Sequence, residues 1–268
     1  MPVSNSFVDL DLSQPPAGLG AGLIPQSKDE VARLFSRDLP SFEKAMPGKM
    51  VPRSQWQDRA ERTSRAYRAT ISKIYNQGQE GSCVGFGSAQ MLETTLRRRY
   101  GISHWVSLSG MSIYKRIGSS AQSGAMISDG MDAVMEGALP ADTFENRAKY
   151  QHIHPYTGFS KKLPEGWRET AKLFRGSSFA IAEGPDEVAS ALLNGFLGIV
   201  GRQGHCIPYG YLDTFDSGGG FCAAYPNSWN SDWGDEGFGY DSERIFGSVS
   251  LYVLLDVVTR PDLLLPVT

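Results

Sequence analysis

The chain has 268 residues, of which 41% are hydrophobic and 21% charged, and its formal net charge at pH 7 is −3. This composition is typical of a globular protein with room for one two-lobed domain, and it provides no basic surface for a nucleic acid. No apolar run approaches the ~20 residues needed to cross a bilayer. We therefore expect neither a nucleic acid nor a membrane as a partner.

The amino-terminal residues and the cysteines both bear on the compartment. The first residues lack the basic segment and the apolar segment of a secretory signal. The chain has three cysteines, Cys83, Cys206 and Cys222, which are too few for a disulfide framework. Both features favour a reducing, cytoplasmic location.

Residues 1–62 are predicted to form an amino-terminal arm. Residues 1–26 are rich in Pro, Gly and Ser, which indicates an extended segment. Ser27 to Glu30 has the pattern of a capping box, and apolar residues follow at helical spacing, so a short helix is expected there. Residues 46–62 contain prolines and a glycine and then become strongly polar, so no helix is predicted for them.

The segment from Asn76 to Phe86 is a glycine-rich loop that leads into a helix. Ser82 precedes a run with apolar residues three or four positions apart, at Phe86, Ala89, Leu92, Leu96 and Tyr100. Three arginines stand in its last turn and Gly101 follows, as expected at a helix carboxyl end. Cys83 is therefore predicted to lie in the first turn of a helix of about five turns.

The remaining elements change from helix to strand along the chain. Further helices are predicted at Ser109–Ile117, at Ser128–Met135 with Ser128 as the N-cap, and at Pro185–Leu193. Strands are predicted at Phe196–Val200, Ile207–Leu212, Phe221–Tyr225, Gly237–Tyr240 and Val249–Val258, with Asp216–Gly220 as a hairpin connection. The fold class is therefore α+β, with a domain over residues 63–250 and a last strand and tail over 251–268.

Cys83 is a candidate nucleophile because its surroundings are suited to a thiolate. The positive end of a helix dipole and a neighbouring histidine lower a thiol pKa to roughly 3.5–7.5. The backbone N–H of Cys83 and the side-chain amide of Gln77 are candidate donors to an oxyanion. A lone cysteine at a helix start is more often a small buried apolar residue. The polar, glycine-rich loop in front of Cys83 favours the catalytic interpretation.

Two segments resemble the papain family of cysteine peptidases. Asn76–Phe86 (NQGQEGSCVGF) is similar to the segment that carries the family's oxyanion glutamine and its nucleophile. Asn227–Tyr240 (NSWNSDWGDEGFGY) is similar to the family's asparagine segment, with its two tryptophans and glycine-rich continuation. Between them, Ser123–Gly130 resembles the substrate-facing glycine loop, most closely that of the bacterial and viral branch. The resemblance covers about residues 70–245.

The order of the candidate catalytic residues is also that of the family. His205 follows Cys83 by 122 residues and Asn227 follows it by 144, close to the roughly 130–150 of papain-like enzymes. Of the four histidines, His205 is the one followed by strands that lead into the asparagine segment.

The resemblance implies a two-lobed fold and assigns roles to named residues. A helical left lobe would pack on an antiparallel, β-barrel-like right lobe, with the active site in the cleft between them. Cys83, His205, Asn227 and Gln77 would be catalytic. Substrate would contact Gly81, Ser82, Gly124 and Trp229. Trp229 and Trp233 would shield the His205–Asn227 hydrogen bond from water, although both could equally be core residues.

The sequence departs from the family at several positions. Glu80 stands where secreted members have a disulfide cysteine, and Val84 replaces an aromatic residue after the nucleophile. The stretch from Phe196 to His205 is short and lacks a loop that helps to form substrate pockets. Pro208 and Pro226 remove ladder hydrogen bonds, so we expect their strands to be edges, bulged or shifted in register.

The leading functional hypothesis is a cysteine peptidase that cleaves peptide or isopeptide bonds of a polypeptide through a thioester, without a cofactor or a metal. The alternative is an inactive structural protein of this fold, whose arm docks into an assembly such as a virus particle. An acyl transferase of the transglutaminase type ranks lower, because such enzymes usually pair the histidine with Asp. Metal binding by Cys206, His205 and Cys222 lacks a supporting ligand spacing.

Overall fold

The structure is a computed structural model that describes residues 3–101, 104–150, 152–155, 158–215, 220–259 and 265–266. Its α-helices are α1 Lys28–Leu34, α2 Phe42–Ala45, α3 Trp56–Ala69, α4 Cys83–Tyr100, α5 Gly110–Ile117, α6 Ile127–Glu136, α7 Phe144–Lys149, α8 Trp167–Ala171, α9 Gly184–Leu193 and α10 Glu243–Phe246. Its strands are β1 His104–Trp105, β2 Phe174–Ala182, β3 Leu197–Arg202, β4 His205–Tyr209, β5 Tyr211–Thr214, β6 Phe221–Pro226, β7 Phe238–Ser242, β8 Leu251–Thr259 and β9 Leu265–Pro266.

The strands form two main antiparallel sheets. One has the order β2-β8-β3-β4 and the other the order β5-β6-β7, while β1 and β9 form a separate pair. Helices α4, α5 and α6 pack together on one side, and α4 also packs against β4. The chain therefore has the predicted helical and β-rich lobes, and the start of α4 meets the start of β4 where they adjoin. Among the described residues, no helix is both long and apolar enough to cross a membrane.

Helix α4 is the buried centre of the helical lobe. Most of its residues from Cys83 to Leu96 are shielded from solvent. Gly85 allows α4 to pack closely on α5, because a β-carbon on Gly85 would lie 2.6 Å from the Gly110 carbonyl oxygen. The predicted end of this helix is confirmed, since Gly101 follows it with a φ of 96°. The capping box of α1 is confirmed as well, with Ser27 and Glu30 as its two partners.

The predicted N-cap of α6 is wrong. The helix begins at Ile127 with Met126 as its N-cap, so Ser128 lies inside the first turn. The side chain of Gln26 explains the difference. Its Oε1 accepts from the backbone N–H of Ser128 at 3.1 Å, and its Nε2 donates to the Ser128 hydroxyl at 2.9 Å. Gln26 of the arm thus accepts the hydrogen bond from the Ser128 N–H, as the side chain of an N-cap residue would otherwise do for a backbone N–H of the first turn.

Helix α3 and strand β2 are the longest of the elements that the sequence did not predict. Helix α3 begins within residues 46–62, which were predicted to be irregular, because only Trp56 and Ala60 of this polar helix are buried. The structure also contains the nine-residue strand β2, which forms eight residue pairs with β8 and has irregular register near Ser178. The predicted strand Ile207–Leu212 is divided between β4 and β5, which belong to different sheets and are joined at Gly210.

The two prolines occupy positions that strands tolerate. Pro208 lies on β4, which is an edge strand of its sheet, as the sequence predicts. The same expectation is wrong for Pro226, because β6 is the central strand of its sheet and pairs in regular register. Pro226 is tolerated as the last residue of β6, opposite Phe238, where its missing N–H falls at a strand end. Strands β5 and β6 pair as a hairpin, but residues 216–219 of its predicted connection lie outside the described residues. Most of the predicted tail, 260–264 and 267–268, does so too.

The arm follows the surface of both lobes. Val3 and Val8 form bridges to Phe215 and Tyr240, and Leu12 is fully buried in the β-rich lobe. Residues 13–18 are mostly exposed, and the following residues cross the line where the lobes meet. Helix α1 then packs on α6. The arm is therefore fixed on both sides of the cleft.

Candidate active site

Cys83 is the first residue of α4, directly after the N-cap Ser82. It is fully buried in this state, and burial raises the pKa of its thiol to about 11. Backbone hydrogen bonds from Cys206 and Gly22 act in the opposite direction and offset part of that effect. The thiol is therefore neutral at pH 7, and it is in contact with both the β4 strand and the arm.

His205 begins β4 after a tight turn. Gln203 and Gly204 form that turn with φ of 50° and 77°. His205 is the first residue of β4 and Cys206 is the second. Its Nε2 lies 2.8 Å from Oδ1 of Asn227, which identifies Nε2 as the protonated nitrogen because a carbonyl oxygen accepts. Nδ1 is buried and has no hydrogen-bond partner among the described residues. Burial lowers the pKa of the imidazole to about 4, so it is neutral at pH 7.

Asn227 follows β6 and is held by backbone contacts. Its N–H donates to the Gly237 carbonyl oxygen at 2.8 Å, and its Oδ1 also accepts from the N–H of Ser228 at 2.7 Å. The second donor fixes Oδ1 as the atom that faces His205, and the amide nitrogen has no partner in the described part of the chain. The side chain is thus oriented to hold one histidine tautomer.

Trp229 covers the ring of His205, and Trp233 packs against Trp229. Trp229 stacks on His205 with ring centroids 4.3 Å apart, and Trp233 meets Trp229 edge-on at 5.7 Å. Trp229 is completely buried. The stacked ring excludes water from the His205–Asn227 pair, and both tryptophans also pack in the core of the β-rich lobe.

Gln77 joins the glycine-rich loop to the asparagine segment. Its backbone N–H donates to the Ser228 carbonyl oxygen at 2.9 Å, and its Oε1 accepts from the Ser228 hydroxyl at 2.5 Å. Its Nε2 donates to the carbonyl oxygen of Glu80 at 2.8 Å. Because an amide nitrogen carries two hydrogens, one N–H remains for a further acceptor.

The arm passes through the cleft at Gly20 to Ile24. The N–H of Gly20 donates to the Gly78 carbonyl oxygen at 2.8 Å, and Trp229 Nε1 donates to the Gly20 carbonyl oxygen at 2.8 Å. On the other side, Leu23 donates to the carbonyl oxygen of Gly204 at 3.0 Å. The arm therefore contacts both walls of the cleft through its backbone.

Glycines make this close passage possible. A β-carbon on Gly20 would lie 2.3 Å from the Glu80 carbonyl oxygen, and one on Gly22 would lie 2.2 Å from that of Gly81. Gly124 has a φ of 73°, and a β-carbon on it would meet the Gly22 carbonyl oxygen at 2.4 Å. Real β-carbons do not approach backbone that closely. The prediction of an extended arm missed this path through the cleft, for which the alternation of glycine over residues 18–22 is the sequence signal.

The structure gathers most of the predicted site residues in one place. Cys83, His205 and Asn227 lie where α4 packs against β4. Gly81, Gly124 and Trp229 line the path of the arm. Ser82 instead acts as the helix N-cap residue, and its buried hydroxyl has no partner among the described residues.

The third cysteine is separate from this site. Cys222 lies on β6 in a cluster with Tyr211 and Tyr240. Within the described ranges, no three His, Cys, Asp or Glu side chains are grouped to hold a metal ion. All three cysteines are buried free thiols.

No family model matches the sequence, and no curated protein matches it either. Solved structures do match. Xylellain, a cysteine protease from Xylella fastidiosa, is 18% identical with a TM-score of 0.58, over 94% of this chain and 100% of that one. Digestive procathepsin L2 proteinase from the larval midgut of Tenebrio molitor is 17% identical with a TM-score of 0.64, over 92% of this chain and 83% of that one. The chain therefore has the two-lobed fold of papain-like cysteine proteases.

Proposed function

We propose that the chain is a cysteine peptidase whose own amino-terminal arm keeps it latent. The observation that carries the proposal is the hydrogen bond from His205 Nε2 to Asn227 Oδ1, which leaves Nδ1 unprotonated. Nδ1 makes no hydrogen bond to Cys83 in this state, but the backbone of Cys206, the next residue of β4, contacts the Cys83 thiol. A nitrogen in that state is able to accept a thiol proton. The fold shared with cysteine proteases supports the same chemistry.

In the proposed reaction, Cys83 Sγ attacks the carbonyl carbon of a peptide bond while His205 Nδ1 takes the thiol proton. The oxyanion is stabilised by the backbone N–H of Cys83 and the remaining N–H of Gln77. Collapse of the tetrahedral intermediate forms a thioester, and His205 donates its proton to the leaving amine. His205 then removes a proton from water, which attacks the thioester and regenerates the thiol. Asn227 orients the imidazole throughout.

The cleft does not accept a substrate while the arm is in place. Residues 20–24 are hydrogen-bonded to both of its walls, and Gly22 faces the thiol. Burial keeps Cys83 and His205 neutral in this state, and an ion pair between them needs solvation or a bound substrate. Activity therefore requires displacement or cleavage of the arm. We propose that Gly81, Gly124 and Trp229 hold the substrate, because they line the path that the arm vacates.

The arm runs in a direction that disfavours its own cleavage within the cleft. The bridge between Leu23 and Ala125 is parallel, with Ala125 donating to the Gly22 carbonyl oxygen at 2.8 Å and Ile24 donating to that of Ala125 at 2.9 Å. We propose that a substrate binds to the same edge at Ala125 in the antiparallel sense. The peptide bonds of the arm would then run opposite to those of a substrate, so their carbonyl groups would be wrongly oriented for attack by Cys83.

The test is peptide hydrolysis by full-length protein in which the arm is displaced. Gly22→Ala places a methyl group against the Gly81 backbone, so it is expected to expel the arm without removing it. We expect the variant to cleave a mixture of unstructured peptides and the double variant Gly22→Ala/Cys83→Ala to cleave none. Gln14→Ala, in the exposed part of the arm, serves as the control. If the Gly22→Ala variant binds peptides but leaves them intact, the peptidase proposal fails.

The second candidate is a protein of this fold that never turns over a substrate. The filled cleft and the neutral thiol favour it. In that case the arm is a permanent part of the structure, and Gly22→Ala lowers stability without creating a hydrolase. The same pair of variants separates the two candidates, because thermal unfolding reports the first effect and peptide cleavage the second.

A further inference from the structure

A polar cavity of about 490 Å³ lies beside the arm on the Gln77 side of the cleft. The loop 76–80 lines one side, and Gln122 and Gly158 line the other. The residues that line it carry amide side chains, no side chain, or, at Glu80, a carboxylate, and no described Lys, Arg or His is among them. The cavity is thus suited to hydrogen-bond donors and to positive charge.

The Glu80 carboxylate lacks a partner for one of its oxygens. Its Oε1 accepts from the backbone N–H of Phe159 at 2.9 Å. Its Oε2 is withdrawn from solvent and has no hydrogen-bond partner among the described residues, whose ion pairs do not include Glu80. The nearby cation Lys115 donates instead to the Phe159 carbonyl oxygen and lies over the Phe159 ring. A buried carboxylate oxygen without a hydrogen bond costs free energy, which a ligand that donates a hydrogen bond to it would offset.

The arm passes the cavity without filling it. Gly18 lies beside the Gln79 amide, and Gly20 is hydrogen-bonded to Gly78, so neither provides a side chain. The side chain of Leu19, between them, packs on the β-rich lobe instead. A substrate that replaced the arm would therefore find this cavity open next to the catalytic residues.

We propose that Glu80 is a specificity-determining residue that selects a lysine or arginine side chain within two residues of the cleaved bond. The proposal rests on the peptidase function above. The Glu80 side chain would turn its unpartnered Oε2 toward the cavity to pair with the cation, and the amide oxygens of the cavity would accept the remaining N–H groups. Because hydrogen bonds to charged groups are strong, the preference over an uncharged isostere is expected to be about tenfold.

The test uses the full-length Gly22→Ala variant and a peptide mixture in which the residues on both sides of one bond are varied. Lysine is compared with norleucine and arginine with citrulline, and mass spectrometry identifies the products. We expect the charged residues to be favoured about tenfold at one position. Addition of Glu80→Gln, which keeps the Oε1 acceptor for Phe159, is expected to reduce that ratio to near one. Glu165→Gln, which removes an exposed charge, is the matched control and should keep the ratio.

A ratio that stays the same after Glu80→Gln would overturn the proposal, as would cleavage with no basic preference. If no peptide is cleaved, the peptidase proposal has failed, and the selectivity is then read from binding. In that measurement the same lysine and norleucine peptides compete with iodoacetamide for access to Cys83. Stronger protection by the lysine peptide that is lost with Glu80→Gln supports the assignment of Glu80, and equal protection contradicts it.

Discussion

The backbone N–H of Ala125 donates to the carbonyl oxygen of Gly22 at 2.8 Å, so the arm occupies an edge of the cleft directly beside Cys83. This contact is central to the proposed latent state. Gly22 contacts the thiol of Cys83, whose burial raises its pKa while the hydrogen bond to the Gly22 backbone offsets part of that effect.

Cys83 should react slowly in the wild-type protein and faster when the arm is displaced. With a pKa of about 11, its thiolate is scarce at pH 7, whereas a solvated thiol beside a histidine and a helix start ionises more readily. We expect Gly22→Ala to increase the rate of iodoacetamide labelling at Cys83 by about tenfold or more. Peptide mapping separates this label from those on Cys206 and Cys222.

The control for this experiment is Gln14→Ala, which should label at the wild-type rate. The buried thiols of Cys206 and Cys222 should remain slow in both variants. Equal rates at Cys83 in wild type and in Gly22→Ala would mean that the arm does not limit access to the thiol.

The closed state should lose stability on acidification. The pKa of His205 is lowered from 6.5 to about 4, so the folded state favours the neutral imidazole and the unfolded state binds the proton first. Its contribution is fully present above about pH 6.5 and is lost as the pH falls toward 4, by roughly 3 kcal/mol in total. Chemical denaturation at several pH values measures this loss.

Asp241 acts with the opposite sign and has to be separated from His205. Burial raises the pKa of its carboxyl to about 6, so protonation between about pH 6 and 4 favours the folded state. The variant His205→Asn keeps the Asp241 effect and removes that of His205, so it should lose less stability between pH 6.5 and 4.5 than wild type. Identical losses in both proteins would show that His205 does not titrate with unfolding.

Trp229→Phe should loosen the arm while preserving the ring over His205. The substitution removes the hydrogen bond from Nε1 to the Gly20 carbonyl oxygen, worth about 1 kcal/mol, and retains an aromatic side chain for the stack. We expect labelling of Cys83 to increase by about fivefold. Trp233→Phe is the matched control, because no hydrogen bond joins its indole to a described arm residue. An unchanged labelling rate in Trp229→Phe would show that the hydrogen bond from Trp229 to Gly20 does not help to hold the arm in the cleft.

The first residues of the arm should remain bound even after the arm is cut. Asp9 accepts from the N–H and the hydroxyl of Ser242, and Arg202 donates to the Leu10 carbonyl oxygen. Leu12 is fully buried. We expect limited proteolysis within the exposed residues 13–18 to leave residues 3–12 associated through gel filtration.

The same anchoring has an energetic test. Leu12→Ala should lower the free energy of unfolding by about 2–5 kcal/mol because it leaves a cavity in the β-rich lobe. Leu34→Ala, at a position 44% exposed, should change it by less than about 0.5 kcal/mol. If both substitutions have equally small effects, the segment around Leu12 is not part of the folded core.

The sequence by itself determined the elements that carry the candidate chemistry. The helical spacing after Ser82, the arginines of the last turn and Gly101 depend on contacts within one helix, so α4 and the position of Cys83 in it could be predicted locally. The fold of two lobes followed from the two recognisable segments around Cys83 and Asn227. In contrast, α3 was missed because its polar residues show little periodicity, and its burial comes from contacts of Trp56 with distant residues such as Phe221.

The tertiary structure alone decided the state of the site. Helix-dipole reasoning predicted a lowered thiol pKa, but the arm and the surrounding core bury Cys83, so its pKa is raised to about 11 instead. The arm follows the cleft because three glycines, Gly20, Gly22 and Gly124, permit backbones to approach each other over long sequence separations. Such contacts depend on where distant segments meet in space, which a local pattern of residues does not specify.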